Sequence, residues 1–343
     1  MTGASGFIGS FLCEEGLRRG WAVWAGLRGT SSRRWLQSAW LHVQTLSLGD
    51  PEELARQLQA FKQQHGRWDY VIHAAGATKC REEADFERVN YDGTVNLVTQ
   101  LRRLDMSPRL FLYMSSLSVL GPIREPAAQD GAWLPLRATD TPCPDTAYGR
   151  SKLKAEQFLQ GMAADFPAAI FRPTGVYGPR ERDYFLMAKS IKRHVDFAAG
   201  LRPQQLTFVY VRDVVGALFA AIDAVEEGRG EQVVGRIFHL SDGRAYPSRT
   251  FSDLLQRALG VGWVVHVKAP LWLLRAVCAV GGWWAGLWGK ASTLNGDKYR
   301  IMRQRNWLCD IEPLRRELGY EPQWPLERGV SETVAWYIEN KWL

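Results

Sequence analysis

The chain opens MTGASGFIGSF, placing Gly3, Gly6 and Gly9 three residues apart at the start of an apolar helical pattern. Few short features restrict a fold more. The first glycine permits a tight turn, the second lets a pyrophosphate approach the backbone, and the third lets the helix pack on a sheet. The helix start then offers free N–H groups and the positive end of its dipole to phosphate. Three glycines at this spacing also occur in ordinary loops, so the rest of the chain must supply the context.

An alternation of helices and short apolar strands supplies it. Residues 7–19 read as a helix closed by Gly20, and 21–27 as a strand. Helices are expected at 51–64, 85–104 and 147–161, with strands at 70–73, 110–115 and 168–172 between them. Strands at 207–211 and 236–240 flank a helix at 213–226. This is the pattern of an α/β fold, a doubly wound parallel sheet covered on both faces. Segments 180–205 and 243–343 lack the alternation and are assigned to a smaller, interrupted C-terminal substrate lobe. The dinucleotide-binding domain then comprises 1–179 and 206–242. Because no strand precedes Gly3, the first strand is expected to be missing from this sequence. The full product should carry roughly six to ten more apolar residues, enough for one strand.

The strand at 21–27 ends where an NAD-binding chain commonly offers an acid to the ribose hydroxyls. No Asp or Glu lies between Glu15 and Asp50; the strand runs instead into Leu27-Arg28-Gly29-Thr30-Ser31-Ser32-Arg33-Arg34. Guanidinium forks and hydroxyls from Arg28, Ser32 and Arg33 suit a 2′-phosphate, so NADP(H) is expected in preference to NAD(H). The same arginines would also serve simply to solvate a loop. The phosphate turn itself is assigned to Gly3, Ser5, Gly6, Phe7 and Ile8.

DTAYGRSKLKAEQF sets Tyr148 and Lys152 four residues apart on one helix face. A free tyrosine has a pKa of about 10, and a neighbouring ammonium favours its phenolate for acid–base work. Spacing alone does not identify the pair, because Tyr337 and Lys341 repeat it; those two read as an ordinary surface helix pair. Position discriminates. Ser116 stands just past a buried strand, at the carboxyl end where such sheets bind ligands, and can donate to the oxygen that Tyr148 protonates. A serine there also serves as a plain cap. FRPTGVYGP brings Pro173, Thr174 and Val176 beside the nicotinamide, and Ser118, Thr174 and Tyr184 are assigned to substrate.

Taken in order, TGASGFIG, HAAG, VNYDGT, SSLSVLG, YGRSK and RPTGVYGP resemble the extended short-chain dehydrogenase/reductases, the superfamily that also holds the NAD-dependent epimerases and dehydratases. The resemblance continues through FVYVRDVVGALFAAI to the C-terminal RRELGYEPQWPLERGVSETVAWY. It implies a Rossmann fold, a Ser116–Tyr148–Lys152 triad, Lys152 on the nicotinamide ribose, and Ala75 and Asn90 along the cofactor. Two departures from relatives narrow the chemistry. Leu117 and Ser118 replace the acid pair of the dehydratases, and Arg172-Pro173-Thr174-Gly175 lacks the diphosphate-holding Asn of many epimerases. RPTGVYGP is closer to hydroxysteroid-dehydrogenase-like and dihydroflavonol-reductase-like members. Near the adenine, Ser47 replaces an expected Asp while Asp50 is kept.

The expected activity is therefore hydride transfer between NADP(H) and a carbonyl or secondary alcohol of a partly apolar small molecule. The alternatives are a nucleotide-sugar epimerase that keeps its NAD bound and a non-catalytic NADP-binding regulator. Five scattered cysteines with no C-x-x-C suit a reducing, cytoplasmic setting, and no His or Cys spacing suggests a metal. The net charge of +7 is dispersed, so no nucleic-acid partner is expected. A homodimer is expected. APLWLLRAVCAVGGWWAGLWGK is apolar for long enough to span a bilayer, but Arg275 and the Gly281-Gly282 pair oppose that. It is assigned first to a cap lining the substrate pocket or to core, through Trp272, Leu273, Leu274, Val277, Trp283, Trp284 and Trp288. Peripheral membrane contact through 269–289 is the alternative.

Overall fold

The structure, a computed structural model, describes residues 1–124, 133–272, 274–276, 278 and 296–343. At its centre β3 (Tyr70–His73), β4 (Leu110–Met114), β5 (Ala168–Pro173) and a later strand, Ile237–Leu240, run parallel and side by side. β1 (Val23–Leu27) pairs in parallel with β2 (Leu41–Thr45). The two groups are joined through Met1 and Thr2. Thr2 bridges Gly26 on one side and His73 on the other, and Gly26 N–H donates to Met1 O at 2.8 Å while Thr2 N–H donates to Ile72 O at 2.9 Å. The sheet is thus doubly wound, as the alternation predicts.

Its faces are covered differently. α1 (Phe7–Arg18) and the helix Val211–Glu226 close one face over Leu12, Ile72, Leu112, Phe171 and Phe238. α2 (Pro51–His65), α4 (Gly93–Arg103) and α5 (Ala147–Gly161) close the other over Leu58, Phe61, Leu97, Phe111 and Ile170. β4 is buried at every position, hence its unbroken apolar run LFLYM. The segment read as one helix at 85–104 is instead α3 (Glu83–Phe86), a π-helical turn at Glu87–Asp92, and α4. A widened turn of this kind often marks a functional site. Here it carries Asn90 inward.

The later segments add a second body around Tyr177, Phe208, Tyr210, Phe251, Leu326 and Val330. Strand Gly175–Tyr177 pairs with Phe208–Tyr210, and strand Val195–Ala199 pairs in parallel with Val265–Ala269. The helix Glu312–Leu318 returns to the main sheet, where Leu314 and Leu318 join the first core. Leu326–Glu339 ends before Lys341, whose φ is +57°. The reading of Tyr337 and Lys341 as a surface helix pair is therefore corrected. Tyr337 is buried in the second core and donates its hydroxyl to Glu181 O at 3.0 Å.

Candidate active site

The phosphate turn needs its glycines for measurable reasons. Gly3 has φ +66°, and a Cβ there would stand 2.6 Å from Ala74 O. A Cβ on Gly9 would stand 2.1 Å from Gly3 O. Gly6 donates its N–H to Gly3 O at 2.9 Å and begins α1 without a side-chain cap. The first amides of α1 are thus left for an anion. The site fits a dinucleotide.

Beneath the turn lies a chain of neutral hydrogen bonds. Thr94 spends its hydroxyl proton on Asn90 O at 2.8 Å, so the His73 Nε2–H donates to Thr94 Oγ1 at 3.0 Å. His73 Nδ1 then accepts from Thr2 Oγ1 at 2.7 Å, and Thr2 Oγ1 accepts from Ala75 N–H at 3.2 Å. Burial, with Lys152 and the chain's amino group nearby, pushes the His73 pKa down to about 3.

A cleft of about 680 Å³ runs from Gly3, Gly6, Phe7 and Ile8 to Ser116, Tyr148, Lys152, Pro173, Thr174 and Val176. The sequence-predicted residues at both of its ends are therefore brought together. Others fall elsewhere. Ser5 and Ala75 are not part of its wall. Asn90 is fully buried behind it, accepting from Ala77 N–H at 2.7 Å and donating to Ala77 O and Ser151 Oγ. Arg28, Ser32 and Arg33 are exposed past the end of β1. Ser47 bonds Gln57, and Asp50 accepts from the amides of Glu52 and Glu53 as the cap of α2.

α5 is started by Thr146, whose hydroxyl accepts from Gly149 N–H at 2.9 Å. It presents Tyr148 and Lys152 to the cleft. Desolvation raises the Tyr148 phenol above its usual value, while a hydrogen bond with Ser116 lowers it. Burial brings the Lys152 ammonium down to about 8, against the pull of Glu156. Glu156, one turn further along α5, is itself buried and grips Arg172 of β5 through two hydrogen bonds of 2.6 and 3.0 Å. Ser115 donates to the same carboxylate.

An inner chamber of about 390 Å³ opens from the far side of Tyr148. Ser116, Pro173, Thr174 and Tyr184 belong to both spaces, and Ser118 to the chamber. Phe197, Leu206, Phe208, Phe251, Met302 and Trp307 build most of its apolar wall. No residue with a charged side chain lines it among the described residues. Where it is described, the tryptophan-rich segment does not line the chamber. Trp272 is exposed and faces a separate outer cavity, and Leu274 is buried. Leu273, Val277, Trp283, Trp284 and Trp288 lie outside the described residues.

Sequence reasoning missed Asp297, which accepts from Tyr148 N–H at 3.2 Å at the positive start of α5. It also missed the apolar part of the chamber wall, whose residues come from separated stretches of the chain and share no periodicity. Among the described residues no helix is long and apolar enough to cross a membrane.

Residues 1–235 match the profile of the NAD dependent epimerase/dehydratase family. The chain is 25% identical to a ceramide reductase of Caulobacter vibrioides, over 100% of this chain and 95% of that one. It is 26% identical to a UDP-glucose 4-epimerase of Vibrio cholerae, over 78% of this chain and 76% of that one. The UDP-glucose 4-epimerase of Thermotoga maritima, solved with UDP-glucose, superposes with a TM-score of 0.75 at 21% identity, covering 99% of this chain and 98% of that one.

Proposed function

Because the chain belongs to the NAD dependent epimerase/dehydratase family, as an NAD(P)-dependent enzyme of the extended short-chain dehydrogenase/reductase type, we propose that it moves a hydride between NADP(H) and a carbonyl or secondary alcohol on a partly apolar small molecule. The observation that carries this reading is the uncharged inner chamber. A sugar diphosphate calls for cations or amides. Arg172, which stands at the start of the R-P-T-G turn, is locked to Glu156 instead. The full-length likeness to a ceramide reductase supports the same reading.

The turn Gly3–Gly6–Gly9 and the start of α1 would hold the pyrophosphate, with Arg28, Ser32 and Arg33 toward the 2′-phosphate. Bound nicotinamide supplies or accepts the hydride. Tyr148 exchanges the proton of the substrate oxygen, and Ser116 donates a hydrogen bond to that same oxygen. Protonated Lys152 would stabilise the phenolate and hold the nicotinamide ribose. Pro173, Thr174 and Val176, which line the cleft, would flank the nicotinamide, while Ser118, Thr174 and Tyr184 would orient the substrate.

Competition binding in the presence of NADP tests the proposal. Apolar cyclic or aryl ketones should displace one another, and UDP- or GDP-sugars should bind weakly. Micromolar affinity for a sugar nucleotide, with none for any apolar ketone, would transfer the assignment to a nucleotide-sugar epimerase. The likeness to the Vibrio enzyme favours that second reading. Such an enzyme would retain its NAD on dialysis.

A further inference from the structure

A second cavity, of about 500 Å³, lies outside the inner chamber, and Gln204 stands in the wall of both. Leu201, Leu271 and Trp272 give it an apolar floor, and Arg202, Arg303 and Arg305 are the charged residues among the described ones that line it. These groups face outward: Trp272 is 71% exposed and Leu201 68%. They follow directly from the ends of the parallel ribbon formed by Val195–Ala199 and Val265–Ala269, where Gly200 N–H donates to Ala269 O at 2.9 Å. The ribbon continues the apolar surface through Val265, Val267 and Phe197, which is 63% exposed and also walls the inner chamber. An exposed apolar face therefore runs to the mouth of an apolar chamber.

Its charge says what covers it. Arg303 spends one nitrogen on Asp145 at 3.1 Å, and Arg305 donates to Pro203 O at 3.1 Å. Arg202 has no hydrogen-bond or ion-pair partner among the described residues. A second copy seated on this face would set arginines against arginines in a chain whose net charge is already +7. A soluble acidic partner would satisfy the arginines and leave the exposed tryptophan and leucine in water. An anionic bilayer answers both demands: acyl chains and the interfacial zone take Trp272 and Leu201, and headgroup phosphates take the guanidinium groups. We propose that this face docks on the surface of an anionic membrane, so that an apolar substrate passes from the lipid past Gln204 into the inner chamber. The docking stands on the outer face alone. Only the route of entry rests on the reading of the chamber given above.

The test is sedimentation of the full chain with vesicles of phosphatidylcholine alone or rich in phosphatidylglycerol, without substrate or cofactor. The wild type should bind the anionic vesicles and release them at high salt. Arg202→Gln should weaken binding about fivefold, the effect of one interfacial cation. Leu201→Ser with Trp272→Ser should weaken it at least about tenfold. Both variants should keep the wild-type melting curve by circular dichroism. A wild type that ignores both vesicles, or a double variant that binds as the wild type does, overturns the proposal. So does a double variant that changes only the solution mass by light scattering, which would make the face a self-interface. A wild type that docks yet turns over no apolar ketone sinks the reading of the chamber and leaves the docking intact.

Discussion

Lys152 Nζ donates to the carbonyl oxygen of Met114 at 2.8 Å, tying α5 to the last residue of β4. Ser116 lies two residues beyond that carbonyl, so one hydrogen bond sets the distance between the two elements that carry the proposed triad. The ammonium also stands 4.9 Å from the centre of the Tyr113 ring.

Tyr148→Phe should cost at least about a hundredfold in kcat, the ordinary scale of general acid–base help, with cofactor affinity retained. Tyr337→Phe provides the contrast. It should leave turnover unchanged but lower stability by about 1 kcal/mol, because its buried hydroxyl is bonded to Glu181 O. Full activity in the Tyr148 variant would overturn the triad.

Arg28→Ala should weaken NADP binding about ten- to hundredfold, from losing a charge-assisted hydrogen bond of about 1.5–3 kcal/mol. NAD binding should barely change. Titration of both cofactors into both proteins decides the matter, and a wild type that prefers NAD would reverse the assignment.

The Lys152 ammonium has a pKa of about 8 in the fold and carries charge below it. The charged form is the working one in the proposed mechanism, so kcat/KM should fall as pH rises through about 8. Glu156 raises that pKa, so Glu156→Gln should move the limb to lower pH. Stability runs the other way. The unfolded lysine keeps its proton up to about 10.5, so stability gains from this residue as pH climbs from about 8 toward that value. Glu156→Gln also leaves the Arg172 guanidinium buried and unpaired, at a cost of about 3–5 kcal/mol in urea melts. An unmoved limb would remove Glu156 from the electrostatics of the site.

His73 has its folded pKa near 3, below the 6.5 of the free side chain. Between those values the unfolded chain binds a proton that the native chain does not. Stability should therefore fall as pH drops from about 6.5 to 3, by at most about 1.4 kcal/mol per pH unit on account of His73. His239, likewise buried and pushed to about 3, adds to the same limb. His73→Asn should reduce the slope by about one proton. Equal slopes for the variant and the wild type would show that the imidazole charges without unfolding.

The parts of the fold legible in the sequence are those where one local rule dominates. α5 spans Ala147–Gly161 as expected because Thr146 caps it and its apolar positions keep helical spacing. β4 announces itself because it is buried on both faces. β2 passed unseen because LHVQT, an edge strand, is largely exposed and alternates weakly. The phosphate turn was readable because Gly3 and Gly9 leave no room for any other residue. The chamber wall was not, since Phe197, Phe251, Met302 and Trp307 are neighbours only after three lobe segments have packed. Tyr337 misled for the opposite reason: its spacing with Lys341 copies that of Tyr148 and Lys152, and only tertiary packing separates them.

Thr2 holds three things at once: a bridge to Gly26, a bridge to His73, and the amide of Ala75 on its hydroxyl. The residue immediately after it begins the phosphate turn. The seam that joins the two groups of strands and the floor of the nucleotide site are therefore one mechanical joint. Cofactor binding should be felt well beyond the cleft, as slower amide exchange along β1 and β3 together and a rise in the melting temperature of the whole sheet. In such a molecule, occupancy of the nucleotide site acts as a fastener for the fold itself.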